Sequence, residues 1–121
     1  MPRILIADDH KMMRHTLRDL FTHYDKWDVC GEAADGKEAV DAAVALKPDL
    51  VLLDYKMPNK DGIEAASEIK QKLPETPVVI FTLNKTRELE AKARQVGVRS
   101  VVGKDEGVVV LLHTVDEEVS H

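Results

Sequence analysis

Four places in this chain combine the residue types and the setting that phosphoryl chemistry needs: the acid pair Asp8-Asp9, then Asp54, Thr82 and Lys104. Each stands at the end of a largely apolar run: Ile4-Leu5-Ile6-Ala7, Leu50-Val51-Leu52-Leu53, Val78-Val79-Ile80-Phe81 and Ser100-Val101-Val102-Gly103. No local periodicity requires polar residues where each run stops. Brought together, the carboxylates repel, and at about 4 Å and an effective dielectric near 20 each pair costs on the order of 4 kcal/mol. Lys104 supplies one positive charge, too little for three acids, so the set calls for a cation. A hard divalent ion with oxygen ligands fits, and Mg²⁺ suits a site that keeps waters and accepts phosphate oxygens; Mn²⁺ can substitute. A carboxylate beside such an ion, a lysine and a hydroxyl is placed to attack phosphorus while the cations neutralise the equatorial oxygens. Thr82 can donate a hydrogen bond to a bound phosphoryl oxygen.

These residues meet only if the apolar runs are neighbouring parallel strands. Continuous rather than alternating apolar character marks strands buried on both faces. Stretches of helical period lie between the runs. The first, about Lys11 to Tyr24, carries Met13, Leu17, Leu20, Phe21 and Tyr24 on one stripe. The weaker run Trp27 to Ala33 alternates in part, as an edge strand does. Helices are predicted over about Lys37 to Leu46 (Val40, Ala43 and Val44 inward), from Ile63 to Leu73, over Thr86 to Val96, and over Glu106 to Val119. The last carries Val108, Leu111, Leu112, Val115 and Val119 on its inner face, with Val109 and Val110 as an apolar excess off that stripe. Five strand–helix units in strict alternation imply a (βα)5 doubly wound α/β sheet with right-handed crossovers. Its ligand crevice lies beyond the carboxyl ends of the strands, where the polar residues fall.

The 121 residues fit one domain, residues 1–121, and 44% hydrophobic with 32% charged residues is the make-up of a globular chain with one core. Seventeen basic against 22 acidic residues leave a formal net charge of −5, which argues against this segment gripping nucleic acid or an anionic membrane itself. Cys30 is the single cysteine, read as a buried inert thiol; with no internal disulfide, the chain suits a reducing cytoplasm. No stretch approaches the roughly 18 apolar residues of a membrane span, and Met1-Pro2-Arg3 enters a strand with no room for a signal peptide.

Taken in order, Ile4-Leu5-Ile6-Ala7-Asp8-Asp9-His10, Leu52-Leu53-Asp54-Tyr55-Lys56-Met57-Pro58-Asn59-Lys60-Asp61-Gly62, Thr82 and Lys104 resemble the motif set of two-component response-regulator receivers over nearly the whole chain. The resemblance implies the receiver version of the flavodoxin-like fold, with strand order 2-1-3-4-5. It implies that Asp54 is the phosphoacceptor, that Asp9 and Asp54 ligate Mg²⁺ through side chains and Lys56 through its backbone carbonyl, and that Asp8 acts through water. Thr82 and Lys104 would bind the phosphoryl group. The donor would be a histidine kinase or phosphotransfer protein, and the chain a switch rather than a turnover enzyme. The output surface would lie on the last strand and helices, with a homodimer there among the possibilities. Lys104-Asp105, with Met57-Pro58-Asn59 and Asp61-Gly62, is similar to receivers of LuxR-type transcription regulators, implying a helix-turn-helix partner domain outside this chain. Three positions depart from the family pattern: Val101 stands where an aromatic is usual, Leu83 where a small residue is usual, and Asp105 where proline is frequent.

Other readings stay open at this point. Asp8 and Asp9 can be capping acids, Thr82 can cap the next helix, His10 reads as a polar helix-start residue, and Met12, Met13 and Met57 read as packing residues. Leu83 and Val101 motivate a pseudo-receiver that binds a partner without phosphorylation. An aspartyl phosphohydrolase is disfavoured by Lys56, which stands where such enzymes carry a second acid.

Overall fold

The computed structural model describes residues 1–120. Five strands, β1 (Arg3–Ala7), β2 (Asp28–Ala33), β3 (Leu50–Leu53), β4 (Val78–Thr82) and β5 (Ser100–Gly103), alternate with five helices. These are α1 (Lys11–His23), α2 (Gly36–Leu46), α3 (Gly62–Lys72), α4 (Arg87–Gln95) and α5 (Val108–Val119), the last preceded by a 3₁₀ turn at Lys104–Glu106. The strands form one parallel sheet in the order β2-β1-β3-β4-β5. β2 is an edge strand, as its partial alternation predicts.

Alternate residues of each central strand feed two cores. Leu5, Ala7, Val51, Leu53, Val78 and Ile80 pack with Ala39 and Ala43 of α2, Ala66 and Ile69 of α3 and Ala93 of α4. Ile4, Ile6, Leu50, Leu52, Val79 and Phe81 pack with Leu17 and Phe21 of α1 and Leu111 and Val115 of α5. Every residue of β3 and β4 is buried, which explains why these runs are apolar without alternation. Small residues on α2 and α3 let the helices seat closely on the sheet, so the strands rather than the helices carry the bulk of that core.

The helix faces depart from the predicted stripes at their ends. Tyr24 is exposed because α1 stops at His23 and Tyr24 is its C-cap; Leu20 is only half-buried. Val44 is exposed, one position off the Val40–Ala43 contact line. α5 begins at Val108 rather than Glu106, because Lys104–Glu106 forms its own tight turn and Gly107 follows at φ 94°, a conformation that interrupts a helix. Val108 therefore joins Val109 and Val110 on the open first turn instead of facing inward. Met57 is buried and Met13 packs on the α1–α5 core, whereas Met12 is 76% exposed. Cys30 is half-buried.

Candidate functional site

Register decides what meets at the top of the sheet. Ala7 pairs with Leu53 and Thr82 with Gly103, so the next residues along β1, β3 and β5 are Asp8, Asp54 and Lys104. The Asp54 amide donates to the Ala7 carbonyl at 2.9 Å, which extends the β1–β3 ladder to the site itself. Lys104 Nζ then reaches Asp8 Oδ2 at 2.9 Å and Asp54 Oδ2 at 3.3 Å. All three side chains are nearly removed from solvent, with 8%, 2% and 10% of their surfaces exposed. Thr82 is fully buried, while Asp9 stays exposed at the rim.

One donor atom from each of Asp8, Asp9, His10 and Asp54 lies within 4.8 Å of the other three, the spread expected of ligands around one small cation. Lys56 is exposed and lines the adjoining cavity of about 170 Å³ together with Asp9, His10, Asp54, Leu83, Asn84 and Lys104. Burial pushes the Asp54 carboxyl above the usual carboxylate range; Lys104 opposes that rise and Asp8 adds to it. A buried acid whose charged form is disfavoured by burial and by a neighbouring acid is the electrostatic signature of a site that wants a cation.

The surrounding loops hold this arrangement by identifiable bonds. Asp8 Oδ1 accepts the His10 amide at 2.9 Å, and Arg14 donates to the Asp8 carbonyl at 2.7 Å while its Nε reaches Glu32. Asp54 Oδ1 accepts the Tyr55 amide at 2.7 Å. The loop after β3 folds back so tightly that Gly62 donates to the Tyr55 carbonyl, and a Cβ at Gly62 would stand 2.3 Å from the Asp54 carbonyl oxygen. Asp61 opens α3 with a reciprocal capping box to Glu64. The cap of α4 is Thr86, whose hydroxyl accepts the Leu89 amide; Thr82 instead accepts the Asn84 amide at 3.2 Å and is not a helix cap. On the far side, Glu106 Oε2 accepts both the Gly103 amide and the Lys85 ammonium, fastening the loop after β4 to the loop after β5.

The structure thus brings together Asp8, Asp9, Asp54 and Lys104, sets Thr82 at the end of β4, and places Lys56 on the cavity wall. Leu83 is 74% exposed and stands at the rim rather than plugging the cavity. Val101 is half-buried and packs on the α2–α4 side of the sheet. Sequence reading missed Arg14, whose helical position gave no hint of a bond back to the Asp8 carbonyl. It also placed His10 as a helix-start residue only; His10 is the N-cap of α1, yet its imidazole belongs to the acidic cluster. Adjacency to the Asp8-Asp9 pair was the available signal.

A doubly wound sheet with an acid cup and a lysine at its carboxyl edge defines the class, and the chain belongs to the response regulator receiver domain family, whose sequence profile matches residues 4–116. Among curated proteins it is 39% identical over 118 residues to the transcriptional regulatory protein PdtaR of Mycobacterium tuberculosis, covering 98% of this chain and 57% of that one. It is 36% identical over 119 residues to the transcriptional regulatory protein YdfI of Bacillus subtilis, covering 98% and 55%. The chain therefore spans little more than half the length of these relatives. Among solved structures it resembles a LuxR-family two-component response regulator from Aurantimonas sp. SI85-9A1, with TM-score 0.95, 29% identity and coverage of 99% and 86%. The response regulator domain of Thermotoga maritima CheB superposes with TM-score 0.92 at 30% identity, covering 100% and 98%. No helix among the described residues is long and apolar enough to cross a membrane.

Proposed function

We propose that this receiver domain is a phosphoryl-accepting switch in which Asp54 takes a phosphoryl group from a histidine kinase or phosphotransfer protein with the help of Mg²⁺. The observation that carries the reading is the convergence of Asp8, Asp9 and Asp54 on one point with Lys104 bridging two of them. Asp9 and Asp54 side chains and the Lys56 backbone would hold the ion, with Asp8 acting through water, and a set of hard oxygen donors fits Mg²⁺. When bound, the ion neutralises charge on the phosphoryl oxygens and on the attacking carboxylate.

The chain's own residues supply the rest. An Asp54 carboxylate oxygen forms the new bond to phosphorus as the donor's phosphorus–nitrogen bond breaks and imidazole leaves. The Tyr55 amide on Oδ1 limits the carboxylate's rotation, which lowers the entropy lost on reaching the in-line geometry. Lys104 sits on Oδ2 and is positioned to follow the charge onto the transferred group. Thr82, buried at the end of β4, has its hydroxyl engaged by the Asn84 amide; turning it toward a phosphoryl oxygen draws the loop after β4 inward. That movement acts on the Lys85–Glu106 fastening and so on β5 and α5, where Val108, Val109 and Val110 stand exposed as an output or homodimer surface. One phosphoryl group per chain, removed again by hydrolysis, makes a cytoplasmic switch rather than a turnover enzyme. In a longer protein the switch would control a helix-turn-helix DNA-binding domain.

Incubation with a small-molecule phosphodonor and Mg²⁺ should give one acid-labile phosphate per chain, abolished in Asp54→Asn. Full labelling of Asp54→Asn removes the assignment. Absence of beryllofluoride binding at millimolar Mg²⁺ favours a pseudo-receiver instead.

A further inference from the structure

Beyond β1 the backbone leaves its ladder just where the acids begin, so each peptide there needs another anchor. The Ala7–Asp8 peptide has two: the Ala7 carbonyl accepts the Asp54 amide at 2.9 Å, and the Asp8 amide donates to the Ala33 carbonyl at 3.0 Å. The Asp9–His10 peptide is fixed by the His10 amide, which donates to Asp8 Oδ1 at 2.9 Å. The His10 carbonyl accepts the Arg14 amide at 3.1 Å. Between these lies the Asp8–Asp9 peptide, and among the described residues its one bond comes from a side chain: Arg14 Nη1 donates to the Asp8 carbonyl at 2.7 Å.

Arg14 is itself held. Its Nε donates to Glu32 Oε1 at 3.2 Å, and only 15% of the side chain is exposed. Glu32 stands on β2 opposite Ile6 and takes Arg18 Nε on its other oxygen at 2.7 Å. Its carboxylate offsets the Arg14 charge, so the contact with Asp8 works by direction more than by supplying a counter-charge. A peptide unit is a rigid plane, and the Asp8 carbonyl and Asp9 amide belong to the same one. A bond that fixes the carbonyl therefore also fixes where the Asp9 side chain sets out. Asp9 is exposed at the rim, so burial does little to aim it.

We infer that Arg14 is a positioning residue of the acid cup: it orients the Asp8–Asp9 peptide so that both carboxylates point at the place where Asp54 ends. The inference rests on the reading of Asp9 and Asp54 as metal ligands. Arg18 supplies the internal contrast. It lies one turn further along the same face of α1, has the same charge and shares Glu32, yet among the described residues its guanidinium bonds Glu32 alone.

Calorimetric titration with Mg²⁺ and the Asp9 amide resonance of the metal-free chain test the assignment together. Arg14→Met keeps the apolar stem and a good helix former, and Glu32 keeps Arg18, so the fold stands. It should weaken Mg²⁺ binding about tenfold, the low end of what removing a group that supports a metal ligand costs. The Asp9 amide should shift at the same time. Arg14→Lys, with one donor restored to the same stem, should regain part of the affinity. Arg18→Met removes the same charge from the same acid and should leave both readings close to the parent. In Asp9→Asn, Arg14→Met should cost little more, because the carboxylate it aims is gone.

Equal losses in Arg14→Met and Arg18→Met reduce Arg14 to a charge, and losses that add in the double variant reduce it to general support. Either result overturns the inference, as does an unmoved Asp9 amide or an unchanged Mg²⁺ affinity in Arg14→Met. If the parent binds no Mg²⁺, or Asp9→Asn binds it as tightly as the parent, the carboxylate reading itself fails, and the role of Arg14 goes with it.

Discussion

Metal-free, this domain should be more stable without its central acid than with it. Replacing Asp54 by asparagine keeps the shape and an acceptor for the Tyr55 amide but removes a charge buried to 8% exposure. The repulsion relieved against Asp8 is at least about 3.5 kcal/mol at an effective dielectric near 20, since their donor atoms lie within 4.8 Å. The attraction given up to Lys104 at 3.3 Å is about 5 kcal/mol on the same scale. Burial of the carboxylate costs several kcal/mol more. Repulsion and burial together outweigh the ion pair, in agreement with the upward shift of the Asp54 carboxyl. A net gain of about 1–3 kcal/mol follows for Asp54→Asn near neutral pH, or roughly 4–12 °C in melting temperature. Because the folded-state carboxyl binds its proton more tightly than the unfolded one, its contribution is complete below about pH 4 and is lost as the pH rises through the folded value. Urea unfolding in chelator across the acidic and neutral range should show the parent losing stability as pH climbs, while Asp54→Asn follows a flatter course. Excess Mg²⁺ should close the gap. If Asp54→Asn is no more stable than the parent in chelator at about pH 8, the balance of burial and repulsion drawn here is wrong.

Lys104→Met leaves Asp8 and Asp54 facing each other without a cation, so metal-free stability at neutral pH should drop by about 3–5 kcal/mol and recover on acidification, read by the same unfolding curves. Gly62→Ala drives a Cβ into the Asp54 carbonyl oxygen, and the loop must open; a loss of 2 kcal/mol or more, with weakened Mg²⁺ binding by calorimetry, is expected on the order of other overpacked sites. Thr86→Ala removes the α4 cap and should cost about 1 kcal/mol without altering phosphorylation. Thr82→Ala leaves that cap intact and should keep acid-labile phosphate while losing the phosphorylation-dependent change in α5, seen as unchanged amide shifts there.

What was legible in the sequence follows from which physical constraint wrote it. Strands buried on both faces leave little choice but aliphatic residues, so Leu50–Leu53 and Val78–Phe81 announced themselves, and the acid, hydroxyl and lysine beyond them stood out by contrast. Sheet order and register determine which of these tips touch, and neither is encoded locally; here the resemblance to receivers supplied the order. Helix ends were read less well. Tyr24 and Val108 have the right spacing for an inner face, yet each lies where its helix has stopped or barely begun. Met12 shows the same failing from the other side, an apolar residue that packing does not use. Arg14 and Glu106 act through backbone partners across loops, contacts that no side-chain pattern advertises.

Asp8 and Lys104, whose side chains touch, are separated by 96 positions along the chain. No segment much shorter than the whole can therefore form the pocket, and a proteolytic piece or an early folding stage presents only scattered charges. A cation on Asp8, Asp9 and Asp54 would tie β1 to β3, and a phosphoryl group on Asp54 reaching Thr82 and Lys104 would tie β3 to β4 and β5, so the binding energy of either is added to the sheet rather than to one loop. Occupancy of the pocket is then also a gauge of how much of the chain is intact.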